Sequence, residues 1–277
     1  MDDMHPAFKG RIKALIPVGR SSTKNASDTT GHGTHVCGSA VGAPCSRKSG
    51  YEDVQGTAPA AELVMQSLWD GKKLAVPELP GLLEMFLAPY RDHGVHIHTN
   101  SWGNGTYYGE QKAYLVEETH VDQLLYDKPD LLIVIAAGNT GDVTNAASIE
   151  GVASCKNVLT VGATDSTRPS IHGKPLTDIF SSNDPTAVSW NSARGPTKDQ
   201  RIKPEVLAPG TPILSARSRK SMSTPLVAGC AVVLRQYLDS IGIANPPAAL
   251  LKAMLINGAY AFHHAHNSKE GFGIPLG

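Results

Sequence analysis

The sequence has 277 residues, of which 41% are hydrophobic and 18% charged, with 27 glycines; this fits one large globular domain, or a domain with a small appendage, and excludes a disordered chain. Its 25 basic and 25 acidic residues cancel to a formal net charge of +0, so no global field draws in a polyanion or an anionic membrane, and nucleic acid is set aside as a partner. The longest strongly apolar run, Leu131 to Ala137, falls far short of the roughly 20 residues that span a bilayer.

The amino terminus carries Asp2 and Asp3 where an export signal is basic, and no apolar segment follows. The first ordered element is a helix opening at His32, within Gly31-His32-Gly33-Thr34-His35-Val36-Cys37-Gly38-Ser39. Its residues are almost all small, which lets a helix approach a neighbouring backbone. Ala61 to Leu68, Val95 to Thr99, Leu131 to Ala137 and Val158 to Val161 are short runs rich in Val, Ile or Leu, the pattern of buried parallel strands.

Between the first two runs, Pro77 to His93 spaces Leu79, Leu82, Leu83, Phe86, Leu87 and Tyr90 three and four apart, which predicts an amphipathic helix. Glu110 to Tyr126 repeats that pattern before Asp127, Lys128 and Pro129 stop it. Strands alternating with helices imply right-handed βαβ units and an α/β fold. Thr164 to Arg219 is dominated by Pro, Ser, Thr and Asn, with brief apolar pieces such as Val206 to Ala208, and reads as long functional loops. Leu226 to Leu238 and Ala248 to Leu255 read as apolar helices.

Ligands in open α/β sheets sit beyond the carboxyl ends of strands, which directs attention to three segments. His32, flanked by glycines, has an uncrowded imidazole suited to a general base. Asn139 follows the buried strand Ile135-Ala136-Ala137 through Gly138, where it can donate to a developing oxyanion or simply cap the loop. Ser221 leads into a buried helix, where it meets the positive end of the helix dipole or acts as an N-cap.

Taken together, the types and order of these residues in an α/β setting resemble the subtilisin-like serine proteases, the subtilases. The resemblance extends to Asn100-Ser101-Trp102-Gly103, Ser192-Ala193-Arg194-Gly195-Pro196 and Lys203-Pro204-Glu205-Val206-Leu207-Ala208-Pro209-Gly210, and covers nearly the whole chain. It implies a three-layer α/β/α sandwich with a mainly parallel central sheet, formed by residues 1–277 as a single peptidase domain. It further implies that His32 is the general base and Ser221 the nucleophile. Asn139 and the Ser221 backbone N–H would form the oxyanion hole, and Ser101, Trp102 and Gly103 would line the cleft for an extended peptide. The implied partner is a polypeptide substrate acted on by a monomer, with no required cofactor and no membrane or nucleic acid. A structural calcium ion is compatible with the family, but the spacing of Asp165, Asp178 and Asp184 matches no dedicated calcium loop.

The chain departs from the family pattern in two places. A subtilase orders its triad Asp, His, Ser, with the Asp in an Asp-Thr-Gly or Asp-Ser-Gly setting that this sequence lacks. Met1 to Phe8 resembles the segment just after that first strand, so the first core strand is expected to be missing. Asp2 and Asp3 are weak substitutes, and Asp28, four residues before His32, is expected to hydrogen-bond locally. Arg219-Lys220 stand before Ser221 where the family has Gly-Thr, and part of the preceding loop is expected to be absent. Both departures predict an inactive or severely impaired enzyme, or a remnant that only binds extended peptides.

Other constellations carry less. His96 and His98 share a strand face at a spacing compatible with zinc, but no nearby Cys completes a site. His32 and His35 lack the intervening Glu of a His-Glu-x-x-His hydrolase. His263, His264 and His266 read as a solvated tail, Cys37 and Cys230 as small buried residues, and Cys45 and Cys155 have no readable partner.

Overall fold

The computed structural model describes residues 1–19, 28, 30–45, 53–103, 111, 113–141, 147–149, 151–165, 170–171, 174–175, 184–211, 213, 215–216, 223–261, 267 and 270–275. The chain divides into two compact units, Met1–His96 with Leu214–Arg219, and Ile97–Ile213 with Lys220–Gly277.

In the first unit, β1 (Ile12–Pro17) pairs in parallel with β2 (Leu63–Ser67). Helix α1 (His32–Val41) lies between them in sequence, and α2 (Gly81–His93) follows β2. β1 is absent from the sequence reading because Lys13 and Pro17 break its apolar pattern; pairing with β2 is what makes it a strand. Met1, Phe8, Cys37, Ala40 and Val41 form the buried centre, with Ile12, Leu15, Leu63 and Met65 packed on them. The Arg11 guanidinium donates to the carbonyls of Ala7, Val41 and Ala61, tying the start of β1 to the end of α1.

α2 begins four residues later than expected. Pro80 disfavours helical geometry at Leu79, so the helix can start only after it. It buries Leu82, Met85, Phe86 and Pro89, and ends at Gly94, whose left-handed conformation lets its N–H return to the carbonyls of Pro89 and Tyr90.

The second unit is built on β3 (Ile97–Asn100), β4 (Leu132–Ala136), β5 (Leu159–Asp165) and β8 (Val206–Thr211), all parallel and in the order β3-β4-β5-β8. Two short antiparallel pairs accompany them, β6 (Ser170–Ile171) with β7 (Lys174–Pro175), and β9 (Ala259–Tyr260) with β10 (Ile274–Pro275). Among the described residues its α-helices are α3 (Val116–Asp127), α4 (Ser223–Ser240) and α5 (Ala248–Asn257). The expected helix from Glu110 starts at Val116, because the Glu118 carboxylate takes the Leu115 N–H at 2.8 Å and fixes the first turn there. Glu110 itself lies outside the described residues.

Every residue of β5 is buried, as are Leu132 to Ile135 of β4, which is why both read as unbroken apolar runs rather than as alternations. α4 places Val227, Ala228, Ala231 and Leu238 against Leu132, Val134, Leu159, Val161, Val206 and Ala208, and Leu251 and Leu255 of α5 join the same core. β8 lies where only a brief apolar piece in a long loop was expected. Its Pro209 and Gly210 hide the strand in the sequence, and an end position in the sheet order tolerates a proline.

A buried ionic cluster fixes the entrance to β8. Glu205 Oε1 meets Lys203 Nζ at 2.6 Å and Lys252 Nζ of α5 at 2.5 Å. Its Oε2 accepts the Thr160 N–H of β5 at 2.8 Å. Burial alone pushes the Glu205 carboxyl upward, but the two ammonium groups overcome this and hold it below the usual carboxylate value of 4.5. Burial lowers Lys203 to about 8. Replacing Glu205 by Gln strands the buried Lys203 ammonium and removes the carboxylate partner of the half-buried Lys252. It is expected to cost about 3 kcal/mol or more, whereas Lys203→Met leaves the Lys252 pair intact and should be close to neutral. The stability supplied by ionised Glu205 is present above pH 4.5 and lost as the pH falls below it. Urea titrations of both variants across pH 3 to 7 check this, and equal losses in the two variants would contradict it.

Candidate active site

The start of α1 is organised by Asp28. Its Oδ1 accepts the Gly31 N–H at 2.7 Å and the Thr30 hydroxyl at 3.1 Å, and its Oδ2 accepts the Thr34 N–H at 2.7 Å and the Thr34 hydroxyl at 2.8 Å. Burial raises this carboxyl, but the hydrogen bonds from Thr34 and Gly31 outweigh it and the pKa is lowered. Asp28 therefore hydrogen-bonds locally, as expected, and does so at the start of the helix, where it accepts an N–H of the first turn. His32 is the first residue of that helix, and its side chain is half-buried. The backbone N–H of Asp2 donates to the Thr34 hydroxyl at 2.8 Å, and the side chains of Asp2 and Asp3 are exposed.

The small-residue face of α1 receives the segment at 215–216. A Cβ on Gly38 would lie 2.3 Å from Ser215 Oγ and 2.8 Å from Ala216 Cβ, so only glycine permits the contact. Ser215 Oγ donates to the His35 carbonyl at 2.8 Å, and the fully buried His35 ring meets Ser39 Oγ at 3.3 Å.

In the second unit, parallel pairing sets Asn100 of β3 opposite Ile135 of β4. Ser101, Trp102 and Gly103 continue directly from β3, and Ala137, Gly138 and Asn139 from β4. The expected peptide-binding segment and the expected oxyanion donor thus leave the carboxyl ends of neighbouring parallel strands of one sheet. Gly138 has φ +119, a conformation closed to most side chains, which turns the chain after β4 and leaves the Asn139 side chain exposed. Its carbonyl accepts the Ala193 N–H at 3.0 Å, while Ser192 Oγ accepts the Ala163 N–H at 3.0 Å. The stretch beginning at Ser192, read only as a family segment, therefore braces the turn that presents Asn139.

His32 belongs to the first unit, and Ser101 to Gly103 and Asn139 to the second. Ser221, with Arg219 and Lys220 before it, lies outside the described residues, as do Asp178, His263, His264 and His266. α4 begins two residues after Ser221 and packs on β3, β4, β5 and β8.

The chain matches the peptidase S8, subtilase family over residues 5–273. It belongs to that family. This subtilase is 28% identical over 259 residues to the serine protease AprX of Bacillus subtilis, the match covering 91% of this chain and 54% of AprX. It is 29% identical over 322 residues to the serine protease/ABC transporter B family protein tagD of Dictyostelium discoideum, covering 83% of this chain and 17% of tagD. It thus spans from about a sixth to about half the length of these relatives. A solved point mutant of the protease domain of PatA superposes with a TM-score of 0.68 at 26% identity, covering 99% of this chain and 88% of that one. The shared fold is α/β with a mainly parallel sheet flanked by helices.

Residues outside these segments show ordinary structural roles. Burial pushes the Cys37 thiol up to about 12 and raises Cys155 and Cys230, which makes all three poor nucleophiles. His96 lies edge-on to Tyr90 at 5.5 Å, and burial lowers His98 to about 4. Among the described residues, no three His, Cys, Asp or Glu side chains gather as a metal site, and no helix is long and apolar enough to cross a membrane. The cluster of Lys203, Glu205 and Lys252 is not legible in the sequence pattern; the charged pair flanking Pro204 just before Val206 to Ala208 is the available signal.

Asp28→Ala removes the cap and should destabilise the protein by about 1–2 kcal/mol in urea unfolding at neutral pH. Because the Asp28 pKa is lowered in the fold, the difference from the parent should vanish as the pH falls below 3.8. Unchanged stability at pH 7 would contradict the capping role.

Proposed function

We propose that this subtilase is a serine endopeptidase in which Ser221 is the nucleophile, His32 the general base, and Asn139 with the Ser221 backbone N–H the oxyanion hole. The observation that carries the reading is that Ser101–Gly103 and Asn139 emerge from the carboxyl ends of two neighbouring parallel strands. An extended peptide running along Ser101 to Gly103 would have its scissile carbonyl beside an exposed amide donor. His32 Nε2 would take the Ser221 hydroxyl proton as Oγ bonds to that carbonyl carbon. It would return the proton to the amine as the C–N bond breaks, and water would then release the acyl group by the same relay.

A polypeptide substrate and a monomer without an obligatory cofactor follow from this scheme. Residues 1–277 place no acid in the family's Asp-Thr-Gly or Asp-Ser-Gly setting, and Asp28 is committed to the helix start. Catalysis by these residues alone is therefore expected to be slow, by a factor on the order of 10⁴ in kcat. The second reading, a module that binds extended peptides without cleaving them, is favoured by Arg219-Lys220, two long cationic side chains directly before Ser221.

A fluorophosphonate probe separates the two. Slow covalent labelling that maps to Ser221, together with hydrolysis of a generic peptide substrate that Ser221→Ala abolishes, is the expected result. Peptide binding with no modification at Ser221 would leave the binding module as the correct reading.

A further inference from the structure

Asn100 closes β3 and has no exposed surface. Its Nδ2 donates to the His98 carbonyl on its own strand and to the Val134 carbonyl on β4, each at 3.3 Å. Both neighbours are acceptors, so chemistry fixes the amide orientation: the nitrogen must face them and the oxygen must face away. That oxygen is fully buried and finds no hydrogen-bond donor among the described residues.

A buried amide oxygen left without a donor is costly, and an apolar side chain of similar shape avoids the cost. Packing alone thus gives no reason for an amide here, while position does. Asn100 is the last residue of the strand before Ser101 to Gly103, and its contact with Val134 runs to the strand that leads to Asn139. The amide is a cross-strand tie placed one residue before the peptide segment diverges from β4.

We propose that Asn100 is a positioning residue of the peptide site, its side-chain tie to β4 fixing the level at which Ser101–Gly103 leaves the sheet relative to Asn139. The inference rests on Ser101–Gly103 being the peptide-binding segment but not on catalysis. With the tie gone, backbone pairing still holds the strands, so the fold survives. The segment beyond the strand end loses its fixed start, and peptide binding weakens.

The test measures binding of a fluorescein-labelled oxidised insulin B chain by anisotropy, in a Ser221→Ala parent that cannot cleave it. Asn100→Leu in that parent is expected to weaken binding about tenfold, with an unchanged or higher melting temperature. Asn100→Ala serves if the leucine variant fails to fold, with the same expected loss at temperatures well below melting. Unchanged affinity in the variant, or affinity lost only in step with the folded fraction, would overturn the proposal. So would a parent that binds no peptide, although labelling of Ser221 by the fluorophosphonate would then leave the enzyme reading standing. If the parent binds and the wild type resists labelling, the positioning role stands and the catalytic reading falls.

Discussion

The parallel pairing of β3 with β4 fixes where the segments proposed to hold a peptide and its oxyanion leave the sheet. Four residues of each strand face one another, from Ile97 opposite Leu132 to Asn100 opposite Ile135. Side chains alternate along a strand, so a slip of one residue would exchange buried and exposed faces throughout. The core resists that slip, because Val134 and Leu132 pack on α4 while Ile133 and Ile135 are buried on the other face. Hydrophobic burial thus specifies the register, and the register fixes the points at which the chain leaves the sheet toward Ser101–Gly103 and toward Asn139.

Polar groups refine this arrangement at a cost in solvation that the surrounding structure offsets. Glu205 accepts from Lys203, Lys252 and Thr160 and thereby ties α5 and β5 to the entrance of β8. Ser192 and Ala193 brace β5 and the turn at Gly138. In the first unit, Asp28 and Gly38 do comparable work around α1, one by satisfying the open N–H groups of its first turn and the other by admitting Ser215 and Ala216. Each of these devices stabilises an element that carries a residue of the proposed mechanism, or a segment adjoining one.

Much of this was legible in the sequence. β4 and β5 stand out as apolar runs because both of their faces are covered, and α4 because one side of it packs on the sheet and α5. β8 was hidden because Pro209 and Gly210 read as loop residues, and its strand geometry comes from pairing with β5 rather than from its own composition. β1 was hidden for the same reason. The starts of α2 and α3 were placed too early since apolar spacing reports the buried face of a helix, whereas Pro80 and Glu118 decide where it begins. At the site, His32 and Asn139 stood out as polar residues next to buried elements. Asn100 did not, because an unsatisfied amide oxygen is a property of three-dimensional neighbours.

The proposed site uses the carboxyl ends of two neighbouring strands to bind an extended peptide and to stabilise its oxyanion. A crystal structure of the protein soaked with a peptide aldehyde tests it most directly. The peptide should pair with Ser101 to Gly103 in strand fashion, with the aldehyde-derived oxygen about 2.7–3.1 Å from Asn139 Nδ2. Its carbon should be bonded to Ser221, and His32 Nε2 should lie within about 3.2 Å of that oxygen or of Ser221 Oγ. A peptide bound elsewhere, or Asn139 directed away from the aldehyde-derived oxygen, would contradict the account.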